Sequence, residues 1–296
     1  MVTVRVPASS ANIGPGFDSL GIALSLYNTA EFELTDGGLE IIIKDDAPHI
    51  PLNENNYVYV GFKRVFDEAG ETFDGVRISL ISDIPVTRGL GSSSSSIVLG
   101  LMGANRILND RFTKDELLRM AYDIEGHPDN VTPALMGGFT VAVPDNGRVV
   151  YSRTDVSLKL RFAAMIPEFY FQTRKSRGIL PSFVTFRAAA FNVAHSALVA
   201  AAFSKGDYSL LKSAVKDRLH ERLRFGKIKS GEYVTRCARR SGAICSYLSG
   251  AGPTILSIVD EDFEHFEEQM NNLIKTNLKD WRLVMLTADN EGATYI

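Results

Sequence analysis

The sequence comprises 296 residues, of which 45% are hydrophobic and 23% are charged, as in ordinary soluble globular proteins. This length is sufficient for two domains. A formal net charge of −3 argues against a general nucleic-acid-binding protein, which usually carries a strong basic excess. Because no apolar run approaches the ~20 residues of a membrane span, we also expect no membrane partner. Residues 1–6 are typical of a strand rather than of a signal peptide. The two cysteines, Cys237 and Cys245, have a spacing that matches no metal motif. A reduced cytoplasmic protein is therefore predicted.

A loop rich in small residues follows this first strand. Residues 7–16 read Pro-Ala-Ser-Ser-Ala-Asn-Ile-Gly-Pro-Gly, and the polar side chains of Asn12 and Asp18 flank the glycine turn. Such a loop indicates a backbone that a ligand approaches closely. The alternative is an N-terminal turn in which both side chains bond only local amides.

The most informative segment is the run Pro-Val-Thr-Arg-Gly-Leu-Gly at residues 85–91, together with the five serines after it. Gly89 and Gly91 can adopt backbone angles that let the chain curl around a ligand. An apolar helical pattern begins after the serines, with Ile97, Leu101 and Ala104 on one face. A glycine loop that leads into a helix N-terminus predicts an anion site, although it lacks the lysine of the Walker motif. The alternative is a glycine–serine turn that caps an ordinary helix.

Two features mark the next helix and the turn after it. Residues 113–116 form a capping-box pattern that opens a helix. Beyond it, acid, imidazole, acid and amide side chains crowd together as Glu125, His127, Asp129 and Asn130. Either Glu125 or Asp129 could hold Mg²⁺, which prefers carboxylate oxygens together with substrate phosphates. His127 could alternatively cap the helix that ends near residue 126.

The remainder of the chain mixes helices with strands, and its character changes near residues 145–147. We therefore predict one domain over residues 1–150 and a second over 151–296. The patterns in the second predict a strand at 160–166, a helix at 183–203, a helix at 210–219 that residues 220–224 close, a turn at 249–254, a helix at 263–274 and a strand at 282–286. Three cations, Arg174, Lys175 and Arg177, are typical of a solvated surface or of a fork for a carboxylate or phosphate. Antiparallel α+β describes this order better than strict β-α-β alternation.

Three motifs in this order resemble those of the galactokinase, homoserine kinase, mevalonate kinase and phosphomevalonate kinase (GHMP) superfamily. They are the Pro-Ala-Ser-Ser-Ala-Asn loop, the Pro-x-x-x-Gly-Leu-Gly-Ser-Ser loop and the Ser-Gly-Ala-Gly-Pro turn. Within it, the segments ANIGPGFDSLG, IEGHPDNVTPALMGG, SRGILP and HERLR are most similar to bacterial homoserine kinases. The resemblance implies an α+β GHMP kinase fold, with an N-terminal ATP-binding domain, a C-terminal ferredoxin-like domain and an active site between them. The implied reaction is the Mg-ATP-dependent phosphorylation of L-homoserine to O-phospho-L-homoserine in threonine biosynthesis.

The residue types suit that substrate, because homoserine is a zwitterion with a terminal hydroxyl. Asp18 can bind the ammonium, and Arg177 with Arg224 can bind the carboxylate, since guanidinium matches carboxylate geometry. By resemblance, the substrate-binding residues are Asn12, Asp18, His127, Asn130, Arg177 and Arg224. For Mg²⁺ the resemblance implies Ser93 and Glu125, with Ser92 as the alternative to Ser93. The implied nucleotide-binding residues are Asn56 near the adenine and, around the phosphates, Pro85, Val86, Thr87, Arg88, Gly89, Leu90, Gly91, Ser92, Ser93, Ser94, Ser95 and Ser96.

One departure within the superfamily bears on the mechanism. Mevalonate kinase-like relatives have an aspartate where this chain has Asn130, and they use an N-terminal lysine that residues 1–21 lack. An amide cannot accept the hydroxyl proton, so we predict direct transfer without a dedicated protein base, with Asn130 and Asp18 as catalytic residues that orient the hydroxyl. The alternatives are another GHMP small-alcohol kinase and a non-catalytic nucleotide-binding sensor. A homodimer is the expected assembly.

Overall fold

The computed structural model describes residues 1–44, 50–169, 173–260 and 263–296. Its strands are β1 Val2–Ala11, β2 Leu20–Thr35, β3 Gly38–Ile43, β4 Gly75–Ser82, β5 Phe139–Asp145, β6 Arg148–Thr154, β7 Arg161–Pro167, β8 Cys245–Leu248, β9 Ile255–Val259, β10 Trp281–Leu286 and β11 Thr294–Tyr295. Its helices are α1 Tyr57–Ala69, α2 Ser92–Ile107, α3 Lys114–Glu125, α4 Pro128–Met136, α5 Thr173–Gly178, α6 Phe186–Lys205, α7 Leu211–Ala214, α8 Glu221–Phe225, α9 Gly231–Arg240 and α10 Phe263–Asn277.

The first sheet has the strand order β11-β1-β2-β4-β3, with β5 paired to β2 and β6 paired to β5. All of these pairs are antiparallel except β3 with β4. Helices α2 and α4 pack on β1 and β2, and α1 and α3 pack against α2. Their apolar faces enclose a core in which Phe32 stacks on Phe62. This arrangement places the N-terminus of α2 beside the end of β1.

The second sheet has the order β10-β7-β9-β8, and all its pairs are antiparallel. Its strands follow one another as β-α-β-β-α-β, which is the ferredoxin-like arrangement. An apolar cluster that includes Ile22, Phe162, Phe203 and Ile258 joins this sheet to the first. The prediction of a mixed, mainly antiparallel α+β fold is therefore confirmed.

The predicted domain boundary at residue 150 falls within β6, all seven residues of which pair with β5 in the first sheet. At the other end of the chain, β11 pairs with β1, opposing Thr294 to Arg5 and Tyr295 to Val4. We therefore propose a division between β6 and β7, with the last strand assigned to the first domain.

Two helix predictions were wrong in their bounds. The structure starts α2 at Ser92, so the serines form its first turn instead of preceding it. In place of one helix over 210–224, a 3-10 turn and α7 end at Ala214, and α8 begins at Glu221. Asp217 lies between these helices, and its Oδ2 accepts the backbone N–H groups of Leu219, His220 and Glu221, which holds the chain in a turn ahead of α8.

Helix α6 departs from the expectation that no apolar run approaches the length of a membrane span. Among the described residues it is the one helix long and apolar enough to cross a membrane by length and composition, with a mean hydropathy of 1.3, and only 22% of that stretch is buried. Two of its polar side chains nevertheless dock onto the first domain, because Asn192 Nδ2 and Ser196 Oγ both donate to the carbonyl of Pro15.

Candidate active site

A cavity of about 330 Å³ is lined by residues of both domains. Among its walls are the β1–β2 loop, the starts of α1 and α2, the α3–α4 junction, α5, α8 and the turn at 249–254. Every predicted site residue borders it except Pro85, Leu90 and Ser95. Leu90 is instead part of the apolar core, and Ser95 is fully buried. The side chains of Arg174 and Lys175 lie outside the described part of the chain.

The N-terminus of α2 borders the cavity with groups that suit an anion. Its N-cap residue is Gly91, in the left-handed region at φ 70°, so no side chain caps the first N–H groups of the helix. The earliest intrahelical bond runs from Ser95 N to Gly91 O at 2.8 Å. The preceding amides of Ser92, Ser93 and Ser94 are therefore available to an anion, which the helix dipole also favours.

Glycine is required in this loop because the chain passes close to its neighbours. A Cβ atom on Gly91 would lie 2.0 Å from Ser9 Oγ and 3.2 Å from Asn130 Oδ1. A Cβ atom on Gly89 would lie 2.4 Å from the carbonyl oxygen of Ser249, in the second domain. The loop thus sits between the two halves of the molecule with no room for a side chain.

The second domain also holds this loop through polar contacts. The guanidinium of Arg88 donates from Nε to the carbonyl of Pro167 at 2.8 Å and from Nη2 to the carbonyl of Glu168. Ser249 Oγ donates to Gly89 O at 2.5 Å. Arg88 was predicted as a phosphate-loop residue, and its side chain here connects the loop to the end of β7.

The carboxylate of Glu125 contacts two of the serines at the start of α2. Ser93 Oγ donates to Glu125 Oε2 at 2.8 Å, and Ser94 Oγ donates to Glu125 Oε1 at 3.1 Å. Hydroxyl and carboxylate oxygens are the ligands that Mg²⁺ takes beside phosphates. Within the described residues no group of three or more His, Cys, Asp or Glu side chains could hold a metal, so a cation bound here would rely on further oxygens from its ligand.

Four polar side chains connect the α3–α4 junction to β1. His127 Nδ1 lies 2.9 Å from Asp129 Oδ1, and Asn130 Nδ2 donates weakly to the same oxygen at 3.4 Å. Ser9 Oγ donates to Asn130 Oδ1 at 2.9 Å, which fixes the orientation of that amide. Burial opposes protonation of His127, but the hydrogen bond and charge of Asp129, with the charge of Glu125, outweigh it and raise the pKa of His127.

The predicted zwitterion-binding residues line another part of the same cavity. Arg177 forms a two-pronged ion pair with Asp18, at 3.0 Å from Nη1 to Oδ2 and 2.6 Å from Nη2 to Oδ1. Asn12, at φ 69°, accepts the N–H of Asp18 with Oδ1 and donates from Nδ2 to the carbonyl of Gly250. Its amide therefore holds the loop that carries Asp18.

Arg224 is the most buried cation of the site, with 2% of its surface exposed. Its Nη1 donates to His220 Nδ1 and to the carbonyl of Gly250, both at 3.0 Å. Its Nε is buried and has no hydrogen-bond partner among the described residues. Burial and the nearby charge of Arg177 lower the pKa of Arg224 to about 10. A ligand carboxylate would relieve both the unpaired donor and the unpaired charge.

Apolar side chains also line the cavity, including Ile50, Val58, Leu80 and Leu99. Asn56 also borders this part and is 2% exposed. As the N-cap of α1, it accepts the N–H of Val58 and donates to the carbonyl of Pro51. The predicted contact with adenine would have to form around these bonds.

Sequence reasoning gave no role to three residues that support the arginines. The ring of Phe17 lies 5.5 Å from the guanidinium carbons of both Arg177 and Arg224, and 5.3 Å from the ring of His220. His220 in turn lies 3.7 Å from Asp217. The four-residue spacing of His220 and Arg224 was the available signal, since residues at i and i+4 share a helix face.

Comparison with known proteins identifies the family of this chain. Residues 56–138 match the family model described as GHMP kinases N terminal domain. The chain is 46% identical to a homoserine kinase of Clostridium beijerinckii, over 100% of this chain and 99% of that protein. It is 43% identical to a homoserine kinase of Caldicellulosiruptor bescii, over 99% and 96% of the two chains.

Solved structures show the same relationship. A homoserine kinase from Cytophaga hutchinsonii superposes with a TM-score of 0.89 at 27% identity, covering 100% of this chain and 97% of that one. L. major mevalonate kinase, at 16% identity, shares the fold with a TM-score of 0.75 over 97% and 95% of the chains. The fold and the full-length sequence similarity agree, and they show that this chain belongs to the homoserine kinase family of the GHMP kinases.

Proposed function

We propose that the protein transfers the γ-phosphoryl group of ATP to the hydroxyl of L-homoserine, giving O-phospho-L-homoserine in threonine biosynthesis. The observation that best supports this proposal is one cavity that contains two kinds of polar lining. One is the uncapped N-terminus of α2, which suits a triphosphate. The other holds one carboxylate and two guanidinium groups, Asp18, Arg177 and Arg224, which together suit a small zwitterion.

The Asp18–Arg177 pair indicates how the zwitterion binds. Without a ligand, these two side chains satisfy each other. An amino acid offers an ammonium to Asp18 and a carboxylate to Arg177, so it replaces one ion pair by two. The carboxylate also meets the Nε edge of Arg224, where a buried donor has no partner. Mevalonate lacks the ammonium and would leave Asp18 without this contact.

Ser93 and Glu125 would hold Mg²⁺, and the geometry favours Ser93 over Ser92 because Ser93 already contacts the carboxylate. When bound, Mg²⁺ neutralises charge on the transferring phosphoryl oxygens. The first-turn amides of α2 supply further positive potential at the same place.

The hydroxyl is oriented without a dedicated base. Asn130 presents an amide fixed by Ser9, and an amide cannot remove a proton. A loose phosphoryl-transfer transition state needs little early deprotonation, so positioning and charge neutralisation supply the rate. A pH profile of kcat/KM with one strong basic limb, lost on substitution of Asp18 or His127, would contradict this mechanism.

The proposal is tested by ADP release with Mg-ATP and four acceptors: L-homoserine, L-serine, mevalonate and shikimate. Turnover with L-homoserine, and at most weak turnover with the others, is the expected result. Preference for another alcohol would favour a different GHMP kinase. Binding of ATP with no turnover of any acceptor would favour a nucleotide-binding sensor.

We further propose a cytoplasmic homodimer, with no nucleic-acid or membrane partner, that buries the exposed face of α6. Phe186 and Val193 on this face are 90% and 71% exposed, and residues 188–204 contain no Asp, Glu, Lys or Arg. Such an exposed apolar surface usually marks an interface. A second copy supplies a matching charge-free face through a two-fold axis, and the alanines at 190, 194 and 197 permit close approach of the helices.

Val193→Asp should convert the dimer to a monomer, because it places two like charges in a dry interface. Light scattering after size-exclusion chromatography measures the mass. Leu34→Asp, at a 47% exposed site on β2, is the matched control and should stay dimeric. Equal masses for all three proteins would contradict the interface, and sedimentation of the wild type with lipid vesicles would favour a membrane as the partner of α6.

A further inference from the structure

His220 lies behind Arg224 and does not border the cavity. It is 1% exposed and forms the N-cap position of α8, four residues before the arginine. Its two ring nitrogens contact groups from different parts of the chain. Nε2 lies 2.8 Å from the carbonyl of Gly14, and Nδ1 lies 3.0 Å from Nη1 of Arg224.

The partners fix the protonation state of the ring. A carbonyl oxygen only accepts, so Nε2 must carry the hydrogen that bonds Gly14. A guanidinium nitrogen only donates, so Nδ1 must offer a lone pair to Arg224. Both bonds exist together only in the neutral Nε2–H form.

The surroundings of His220 hold it in place and favour this form. On its backbone side, Asp217 Oδ2 accepts the N–H groups of residues 219–221, while Oδ1 accepts from Asn192 Nδ2 at 2.7 Å. The charged groups that act on the ring are Asp217, Arg224 and Asp18. Burial, aided by the charge of Arg224, lowers the pKa of His220 against the opposing effects of Asp217, the Gly14 carbonyl and Asp18.

The contacts of Arg224 occupy one side of its guanidinium group. Nη1 uses its two N–H groups on His220 and on the carbonyl of Gly250. The Nε side of the guanidinium is left for a bound group. Without the bond to Nδ1, Nη1 would keep its bond to Gly250 alone, and the guanidinium could turn more easily and present another edge.

We propose that His220 is a positioning residue for substrate binding, whose neutral imidazole accepts from Arg224 Nη1 and so directs the Nε edge of the guanidinium at the carboxylate of the amino-acid substrate. This inference rests on the proposed function, in which L-homoserine occupies this part of the cavity. His220 touches no substrate atom and acts only through Arg224.

Two near-isosteric variants separate the two ring nitrogens. In His220→Asn the amide oxygen can stand near Nδ1 and keep an acceptor for Arg224, whereas in His220→Gln the amide nitrogen can stand near Nε2 and keep the donor to Gly14. His220→Gln should raise the KM for L-homoserine roughly 10-fold, because a buried charged donor loses its partner. His220→Asn should keep KM within about 3-fold of the wild type, and both variants should keep kcat and the KM for ATP. Equal KM increases in both would indicate a merely structural role and overturn the proposal.

A pH series gives an independent measurement. In the wild type, the KM for L-homoserine should rise as the pH falls through the pKa of His220, because the protonated ring cannot accept from Arg224. The His220→Asn variant retains His127 and Asp18 but should lack this rise. Identical pH profiles of KM for the wild type and His220→Asn would overturn the proposal. This comparison tests the proposal even if His220→Gln does not fold. If the wild-type protein neither binds nor phosphorylates L-homoserine, both the proposed function and the role of His220 are rejected. If the wild type turns over normally and both variants keep its KM for L-homoserine, only the role of His220 is rejected.

Discussion

Arg224→Ala should raise the KM for L-homoserine by roughly 30- to 1,000-fold, equivalent to about 2–4 kcal/mol, with kcat changed far less. The reason is burial. Arg224 is 2% exposed, so its loss leaves the substrate carboxylate without a cation in a site from which water is largely excluded. Steady-state kinetics at saturating ATP measures the effect, and thermal unfolding checks that the variant is folded.

Two comparisons sharpen this test. Arg222→Ala removes an exposed arginine from the same helix, α8, and should leave the KM unchanged. Arg177→Ala should raise the KM less than Arg224→Ala, because the side chain of Arg177 is 38% exposed and water can replace part of its contact. An unchanged KM for both Arg177→Ala and Arg224→Ala would reject the carboxylate fork.

Glu125→Gln should lower kcat/KM by roughly 10²- to 10⁴-fold and raise the Mg²⁺ concentration needed for half-maximal rate. The substitution keeps the shape of the side chain but removes the charge that would hold the cation, whose contribution to the transition state is several kcal/mol. A titration of the initial rate with Mg²⁺ at fixed ATP separates loss of metal affinity from loss of rate at saturation.

The matched control is Asp123→Asn, which also removes one negative charge from the last turn of α3. Asp123 pairs at the surface with Arg64 and Arg119, so its loss should leave the Mg²⁺ dependence unchanged. If Glu125→Gln behaved like this control, the cation would have to bind elsewhere in the cavity.

The sequence predicted those parts of the fold that short-range chemistry controls. The capping box at Thr113 and Glu116 is present. The threonine hydroxyl accepts the backbone N–H of Glu116, and the glutamate carboxylate accepts the backbone N–H of Thr113. Gly89 and Gly91 adopt left-handed backbone angles, at φ 79° and 70°, which their lack of a side chain permits. The late helix α10 and the strand β10 lie within a few residues of their predicted bounds.

The segment at 210–224 shows why other parts were not predictable. Its apolar spacing continues through Leu219 and favours one helix. The break depends on the Asp217 carboxylate, which accepts three consecutive N–H groups, and on Asn192, whose amide oxygen accepts the N–H of Arg218 from another helix. A contact between residues 26 apart in the chain cannot be deduced from local periodicity.

The same limit applies to the candidate site. Asp18 and Arg177 were each predicted from residue type, but their direct pairing across 159 residues of chain was not. The bond between His220 and Gly14 joins residues 206 apart. The resemblance identified most of the polar residues that line the cavity. It did not identify the residues that support them, such as Phe17 and His220, because their contacts depend on how the two domains pack together.

The return of the last strand to the first sheet links the two domains in unfolding. β11 covers the outer edge of β1, and the N–H of Ile296 bonds the carbonyl of Thr3 at 3.1 Å. Loss of the second sheet would release this strand and expose the backbone edge of β1, which is then open to pairing with other chains. The protein should therefore melt as one cooperative unit, and a fragment that stops at residue 154 should aggregate rather than persist as an independent nucleotide-binding module.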